Sequence, residues 1–143
     1  IIVLDGRGRV EIDPAGELEE EQFVILEREI EQSEFPVSVF LHFPPIELDS
    51  PWLDRDMLLL NGERLHQVLS DGRSKLRGVF FGHVHRGLQI YKEGILYSGV
   101  GSPFCQFTAW PNDEKPGFEV RCPIFFNFIS FLSDRTIVKE HFV

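Results

Sequence analysis

The stretch LRGVFFGHVH, residues 76–85, decides the fold prediction because a buried strand runs directly into two histidines. Leu76–Phe81 is an apolar run of strand length, interrupted at only two positions. Short apolar runs of this kind are typical of strands buried within a sheet. Gly82 follows, and glycine suits a sharp turn or a backbone that approaches a ligand closely. We therefore expect a strand whose carboxyl end carries His83 and His85.

A second buried strand, Val37–Leu41, ends in a similar way. It is rich in β-branched residues and leads into His42, which is followed by Phe43 and Pro44-Pro45. Because proline fixes the backbone φ angle, the chain leaves this strand in a fixed direction. Ligand sites in open α/β sheets gather at the carboxyl ends of strands, which is where all three histidines are expected.

The rest of the chain predicts helices and further strands around these two strands. We expect a strand at Ile1–Leu4, helices at Glu17–Gln32 and Gly62–Ser70, an irregular stretch at Ile46–Asp56, and two hairpins, Leu88–Tyr91 with Ile95–Val100 and Pro123–Leu132 with Thr136–Val143. Apolar residues at helical spacing form the inner faces of the two helices, namely Phe23, Leu26 and Ile30 in the first and Leu65, Val68 and Leu69 in the second. Strands alternating with helices, followed by antiparallel strands, are typical of an α/β (α+β) fold with a mixed sheet.

The spacing of the histidines predicts a metal site. Residues i and i+2 of an extended segment point to the same side, with about 7 Å between their backbones. The imidazoles of His83 and His85 can then face one ion, or two ions about 3.5–4 Å apart as in two-metal sites. Neutral imidazole suits zinc, iron, nickel and manganese-type sites. With His42, they form a predicted set of three metal ligands at two strand ends.

The histidines and the nearby acidic residues also have interpretations that do not involve this metal site. A single histidine at a strand end is commonly a hydrogen-bonded turn residue, which is the alternative for each of the three. The two remaining histidines, His66 in the second helix and His141 in the last strand, are interpreted as surface or half-buried polar residues. The acidic residues after His42 have no ligand-like spacing and are interpreted as a solvated loop. A closed structural zinc site is disfavoured because such sites usually take four ligands, commonly cysteines.

Composition excludes several classes of protein. The 143 residues suit one domain, and a 43% hydrophobic content with 14 phenylalanines excludes wholesale disorder. The 14 basic and 23 acidic residues give a net charge of −9 without a basic stripe, so we expect no nucleic-acid partner. No apolar run approaches the roughly 20 residues of a transmembrane helix, so we expect no membrane partner. Cys105 and Cys122 are interpreted as reduced thiols of a cytoplasmic protein.

Several stretches in combination resemble the calcineurin-like metallophosphoesterases. They are Leu4-Asp5, the glutamate-rich helix after it, Val37–Pro45, Leu59–Leu65, Val79–His85, and the pattern that runs from Tyr91 to Phe107. The resemblance covers about residues 1 to 120 and is nearest to the branch that contains cyclic-nucleotide phosphodiesterases and glycerophosphodiesterases. It implies a four-layer αββα sandwich with mixed sheets, of which residues 1–143 form the C-terminal part.

The resemblance also implies a dinuclear site in which His42 and His83 bind one metal ion and His85 binds the other. The ions would be divalent or transition metals (manganese, iron or zinc), and the substrate a small phosphoester such as a cyclic nucleotide or a glycerophosphodiester. Many relatives carry two histidines before the prolines, whereas His42 is followed here by Phe43.

The family's N-terminal ligand elements do not occur in these 143 residues. They are Asp-x-His, Gly-Asp-x-x-Asp or Asn, and Gly-Asn-His. We therefore expect the full protein to be a metal-dependent phosphoric ester hydrolase and the 143-residue chain alone to be inactive. Because Ile1 already falls within a strand that we expect to be buried, Ile1–Leu4, we also expect further chain before it.

An alternative function follows from the last hairpin, which carries Phe125, Phe126, Phe128 and Phe131. A row of phenylalanines like this one is commonly just a part of the hydrophobic core. Half of a sandwich, however, leaves an apolar face that a second copy of the chain could cover. The alternative is thus a self-associating binding or assembly module without catalysis. A homo-oligomer is expected.

Overall fold

The computed structural model describes residues 1–8, 10–119 and 121–143. The strands are β1 (Ile2–Val3), β2 (Val37–Phe40), β3 (Leu76–Phe81), β4 (Leu88–Lys92), β5 (Ile95–Gly99), β6 (Phe125–Phe131) and β7 (Thr136–Phe142). The α-helices are α1 (Glu20–Gln32), α2 (Pro51–Asp56) and α3 (Gly62–Asp71), with short 3₁₀ turns at Val10–Ile12 and Arg73–Lys75. Within the described ranges, no helix combines the length and the apolar character that crossing a membrane requires.

The strands form two sheets. Five of them make a mixed sheet in the order β1-β2-β3-β5-β4, in which β1, β2, β3 and β5 run parallel and β4 is antiparallel to β5. The other two, β6 and β7, form an antiparallel hairpin. The prediction of an α/β fold with a mixed sheet is confirmed. The four-layer sandwich stays a prediction.

One face of the five-stranded sheet packs against the helices. The register places Val39, Val79 and Tyr97 side by side across β2, β3 and β5, and all three are fully buried. The predicted apolar faces of α1 and α3 join them in one cluster, with Phe23, Leu26, Ile30, Leu65, Val68 and Leu69 all buried. Burial of these two helical faces supplies the main core of the chain.

The opposite face of the sheet packs against the hairpin. Phe40 and Phe80 stack on one another at 4.9 Å between ring centroids, and Phe80 meets Phe131 of β6 edge-on at 6.2 Å. The guanidinium of Arg77 in β3 donates hydrogen bonds to carbonyls of the hairpin turn. These acceptors are the backbone oxygens of Leu132, Ser133 and Arg135. The hairpin is therefore tied to the sheet by both apolar and polar contacts.

Two predicted strand and helix bounds are wrong. The first strand is an exposed edge of only two residues rather than a buried strand, since Val3 is 75% exposed and β1 pairs with β2 alone. The first helix begins at Glu20 and not at Glu17. Leu18 cannot start it because its backbone N–H and C=O are both hydrogen-bonded to the Asn61 side chain, at 3.1 and 2.8 Å.

The stretch predicted to be irregular, Ile46–Asp56, contains a short helix, α2. Its first residue is Pro51, whose missing N–H costs nothing at a helix start. Asp54 accepts hydrogen bonds from the backbone N–H groups of Leu48 and Ser50, at 2.6 and 3.0 Å. These bonds order the chain on the way into the helix, so Asp54 is not part of a solvated acidic loop.

Candidate functional site

Parallel pairing of β2 and β3 brings His42 and His83 together. Phe40 lies beside Phe80 in the register, and backbone hydrogen bonds continue this pairing past the strand ends. Gly82 donates to the carbonyl oxygen of His42 at 3.1 Å. The two imidazoles emerge at the same edge of the sheet, where His42 Nε2 lies 2.9 Å from His83 Nδ1.

The segment that carries His83 and His85 is bent, so the predicted extended geometry is wrong. His83 has a φ angle of +66° and His85 one of +46°. Val84 donates a 2.7 Å hydrogen bond to the carbonyl of Gly82, which closes a three-residue turn around His83. The bend does not lie at Gly82, where an added Cβ would meet its nearest neighbour, an atom of His42, at an ordinary 3.7 Å.

A backbone carbonyl fixes the protonation of His83. Its Nε2 lies 2.7 Å from the carbonyl oxygen of Pro14. A carbonyl can only accept a hydrogen bond, so neutral His83 carries its proton on Nε2, and its unprotonated Nδ1 accepts a hydrogen bond from Nε2–H of His42. Metal-binding histidines commonly donate their second ring N–H to such an acceptor. His83 therefore directs Nδ1, its nitrogen with an unshared electron pair, toward His42.

His85 has partners of its own. Its Nδ1 lies 3.3 Å from Sγ of Cys105, and its ring stacks on Phe107 with 4.5 Å between centroids and 10° between planes. The structure thus places His83 against His42, and His85 against the loop that carries Cys105 and Phe107.

The three imidazoles lie in surroundings that favour their neutral form. Burial lowers the pKa of His42, and the nearby His85 lowers it further. Burial also lowers the pKa of His83, more than the Pro14 carbonyl raises it, and it lowers the pKa of His85. Because a metal ion binds the unprotonated nitrogen, a lowered pKa leaves these side chains ready to bind near neutral pH.

The ring nitrogens of His42 and His83 that face each other are close together. Two imidazole nitrogens bound to one ion at about 2.1 Å would lie roughly 3.0 Å apart with a right angle between the bonds and roughly 3.4 Å apart at the tetrahedral angle of zinc sites. The observed distance between His42 Nε2 and His83 Nδ1 is 2.9 Å, which also suits a hydrogen bond. Within residues 1–8, 10–119 and 121–143, no three His, Cys, Asp or Glu side chains are grouped to hold a metal ion. At this edge of the sheet the described residues thus bring together two imidazole nitrogens, without a third such side chain grouped with them.

The prediction for His66 is wrong, because this side chain is only 3% exposed. It lies on the inner side of α3, where Nδ1 is 2.7 Å from the hydroxyl of Tyr97 and Nε2 is 3.5 Å from a carboxylate oxygen of Glu93. Burial raises the pKa of Tyr97, so its hydroxyl stays protonated. His141 is exposed and stacks on Phe126, as a surface residue would.

Three residues that contact the histidines were not predicted from the sequence: Pro14, Cys105 and Phe107. Pro14 acts through its backbone carbonyl, which leaves no signal in residue type. Cys105 and Phe107 are two residues apart, and side chains at this spacing in an extended segment point to the same side. This spacing was the one feature of the sequence that indicated a shared contact.

Two curated proteins are similar to part of the chain, while no family model matches it. A 3',5'-cyclic-nucleotide phosphodiesterase of Nostoc sp. is 32% identical over 90 residues, which are 59% of this chain and 33% of the relative. The 3',5'-cyclic adenosine monophosphate phosphodiesterase CpdA of Vibrio vulnificus is 29% identical over 101 residues, 70% of this chain and 36% of the relative. The chain spans about a third of the length of these two relatives, and both are named as phosphodiesterases.

Proposed function

We propose that the protein is a metal-dependent phosphodiesterase whose substrates are 3',5'-cyclic nucleotides. The observation that carries the proposal is the pair of imidazole nitrogens, His42 Nε2 and His83 Nδ1, held 2.9 Å apart at the carboxyl ends of parallel strands. Similarity to two proteins named as cyclic-nucleotide phosphodiesterases supports the choice of reaction and substrate. Glycerophosphodiesters are the second substrate class that the family resemblance implies.

In this proposal, His42 and His83 hold one metal ion and His85 holds a second. When bound, two such ions (manganese, iron or zinc) supply positive charge for the phosphate oxygens and lower the pKa of water. The net charge of −9 does not oppose a phosphate substrate, since bound ions dominate the local field. The proposal places the protein among the metallophosphoesterases.

The chain's own residues supply neutral nitrogen donors and fix their direction. Pro14 keeps the proton of His83 on Nε2, and the backbone hydrogen bond from Gly82 to His42 keeps the two rings on neighbouring strands. Three neutral imidazoles cannot balance the charge of two divalent ions, and two-metal hydrolase sites normally include carboxylates. We therefore expect the 143 residues alone to have little or no activity.

The test is an assay of the natural full-length protein with 3',5'-cyclic AMP and with bis(p-nitrophenyl) phosphate. We expect hydrolysis of both, loss of activity with a chelator, and recovery when Mn²⁺ is added. The His83→Ala variant should be inactive, while the matched His141→Ala variant, which changes an exposed histidine of β7, should keep its activity. Hydrolysis by His83→Ala at the unchanged rate would contradict the ligand assignment.

A second candidate, self-association through the hairpin, is favoured by its outer face. Phe126 and Phe128 are 48% and 55% exposed, and both contact the ring of His141. Light scattering coupled to size-exclusion chromatography tests this candidate. A dimer that Phe128→Lys converts to a monomer would support it, and a wild-type monomer would exclude it.

A further inference from the structure

Two side chains of one loop hold the ring of His85. The Sγ atom of Cys105 lies 3.3 Å from Nδ1, at the edge of the imidazole. Phe107 covers the ring from one face, with 4.5 Å between centroids and only 10° between planes. An edge contact and a face contact restrain different motions, so together they set both the position and the rotation of the imidazole.

The loop is itself anchored, so its side chains are held in place. Gln106 is 1% exposed, and its side-chain amide donates to the carbonyl of Ser102 at 2.6 Å. Phe107 donates its backbone N–H to the carbonyl of His85 at 3.3 Å, and its ring contacts Trp52 at 5.4 Å between centroids. These bonds link the loop both to the core and to the histidine segment.

We infer that Cys105 is a positioning residue for His85. Its sulfur accepts a hydrogen bond from Nδ1–H, and the backbone of Cys105 also hydrogen-bonds the ring, so the proton stays on Nδ1 and the Nε2 lone pair is available for a metal ion. Sulfur is a weak acceptor, but the stacked ring of Phe107 keeps the imidazole edge directed toward it. The inference rests on the proposed function, in which His85 binds a metal ion.

The first test measures metal binding by the full-length protein. Cys105→Ala, Cys105→Ser and the matched control Cys122→Ser would each be titrated with Co²⁺ alone. We expect about a 10- to 100-fold weaker affinity in Cys105→Ala, which is the usual effect of removing a hydrogen-bond acceptor behind a metal ligand. Cys105→Ser should recover part of the loss because a hydroxyl also accepts from Nδ1–H, and Cys122→Ser should bind as the unmodified protein does.

The second test determines which ring nitrogen of His85 carries the proton in the metal-free protein. Nitrogen–proton correlation NMR of the metal-free protein should show His85 protonated on Nδ1, and Cys105→Ala, which keeps the backbone of residue 105 but removes the sulfur, should weaken this preference. Protonation on Nε2 in the unmodified protein, or unchanged Co²⁺ affinity in Cys105→Ala, would overturn the inference. A sulfur-to-cobalt charge-transfer band that Cys105→Ala removes would also overturn it, since Cys105 would then be a ligand.

These readouts separate the inference from the proposed function. If the full-length protein hydrolyses no phosphodiester, the proposed function fails, and the NMR result still decides the role of Cys105.

Discussion

His83 is the residue on which the candidate site depends most. It has a φ angle of +66°, and both of its ring nitrogens have partners, the Pro14 carbonyl and His42. A non-glycine residue in this region costs on the order of 1–3 kcal/mol and persists only where its surroundings impose it. Such residues cluster at functional sites, which agrees with the role as metal ligand proposed for His83.

At the residue scale, the lowered histidine pKa values predict a loss of stability in acid. The folded protein holds His42, His83 and His85 below their ordinary pKa of about 6.5, so the unfolded chain binds more protons near pH 6. The free energy of unfolding is therefore highest above about pH 6.5 and falls as the pH drops through the folded-state values. Urea unfolding of the metal-free protein between pH 5 and 8 measures this slope.

A variant with His42→Gln and His83→Gln provides the control. It should lose less stability than the wild type over the same pH interval, since two of the three groups no longer titrate. An identical slope in both proteins would show that other groups govern the acid sensitivity.

At the level of secondary-structure elements, Gly78 in β3 and Gly82 directly after it differ in the substitutions they tolerate. Gly78 has a φ angle of +142°, and a Cβ there would lie 3.1 Å from the ring of Phe80. It also lies where the pairing of β2 with β3 shifts register. A Cβ on Gly82, the residue directly after β3, would make only ordinary contacts, the nearest at 3.7 Å to His42.

We expect Gly78→Ala to lower the free energy of unfolding by more than about 1 kcal/mol, because alanine is strained at a positive φ angle. Gly82→Ala is the matched change and should stay within about 1 kcal/mol of the wild type. Equal effects of the two substitutions in urea unfolding would argue against this account of β3.

Patterns of apolar residues were sufficient to predict most elements. Leu76–Phe81 is a strand with the predicted bounds, and both hairpins occur where they were expected. Contacts between distant residues explain the errors. Leu18 is kept out of α1 by Asn61, which is 43 residues away, and nothing in the local pattern reports such a bond.

In the candidate site, too, the errors come from contacts between residues that are distant in the sequence. The histidine motif and parallel strand order place His42 near His83, but the bend around His83 involves Pro14, 69 residues earlier in the chain. His66 was misassigned because its polarity favours the surface, whereas the hydroxyl of Tyr97 supplies a buried partner from another element. The candidate histidines could be identified from the sequence, but the residues from other elements that contact them could not.

At the scale of the whole molecule, Arg77 links the main sheet to the C-terminal hairpin. It contributes polar contacts, with hydrogen bonds of 3.0 and 3.2 Å to the carbonyls of Ser133 and Arg135. We expect Arg77→Ala to speed hydrogen exchange of the β6 and β7 amides while that of β2 is unchanged. The control is Arg28→Ala, which alters an exposed pair with Glu29. Unchanged protection of the hairpin in Arg77→Ala would mean that apolar packing alone holds it.

The proposed function requires that His42 and His83 hold one metal ion between them. Metal content of the full-length protein tests this, with wild type, His42→Ala, His83→Ala and His141→Ala purified in parallel. His42→Ala and His83→Ala should each lose bound metal relative to the wild type, while His141→Ala should retain it. Full metal content in both of the first two variants would rule out a shared ion.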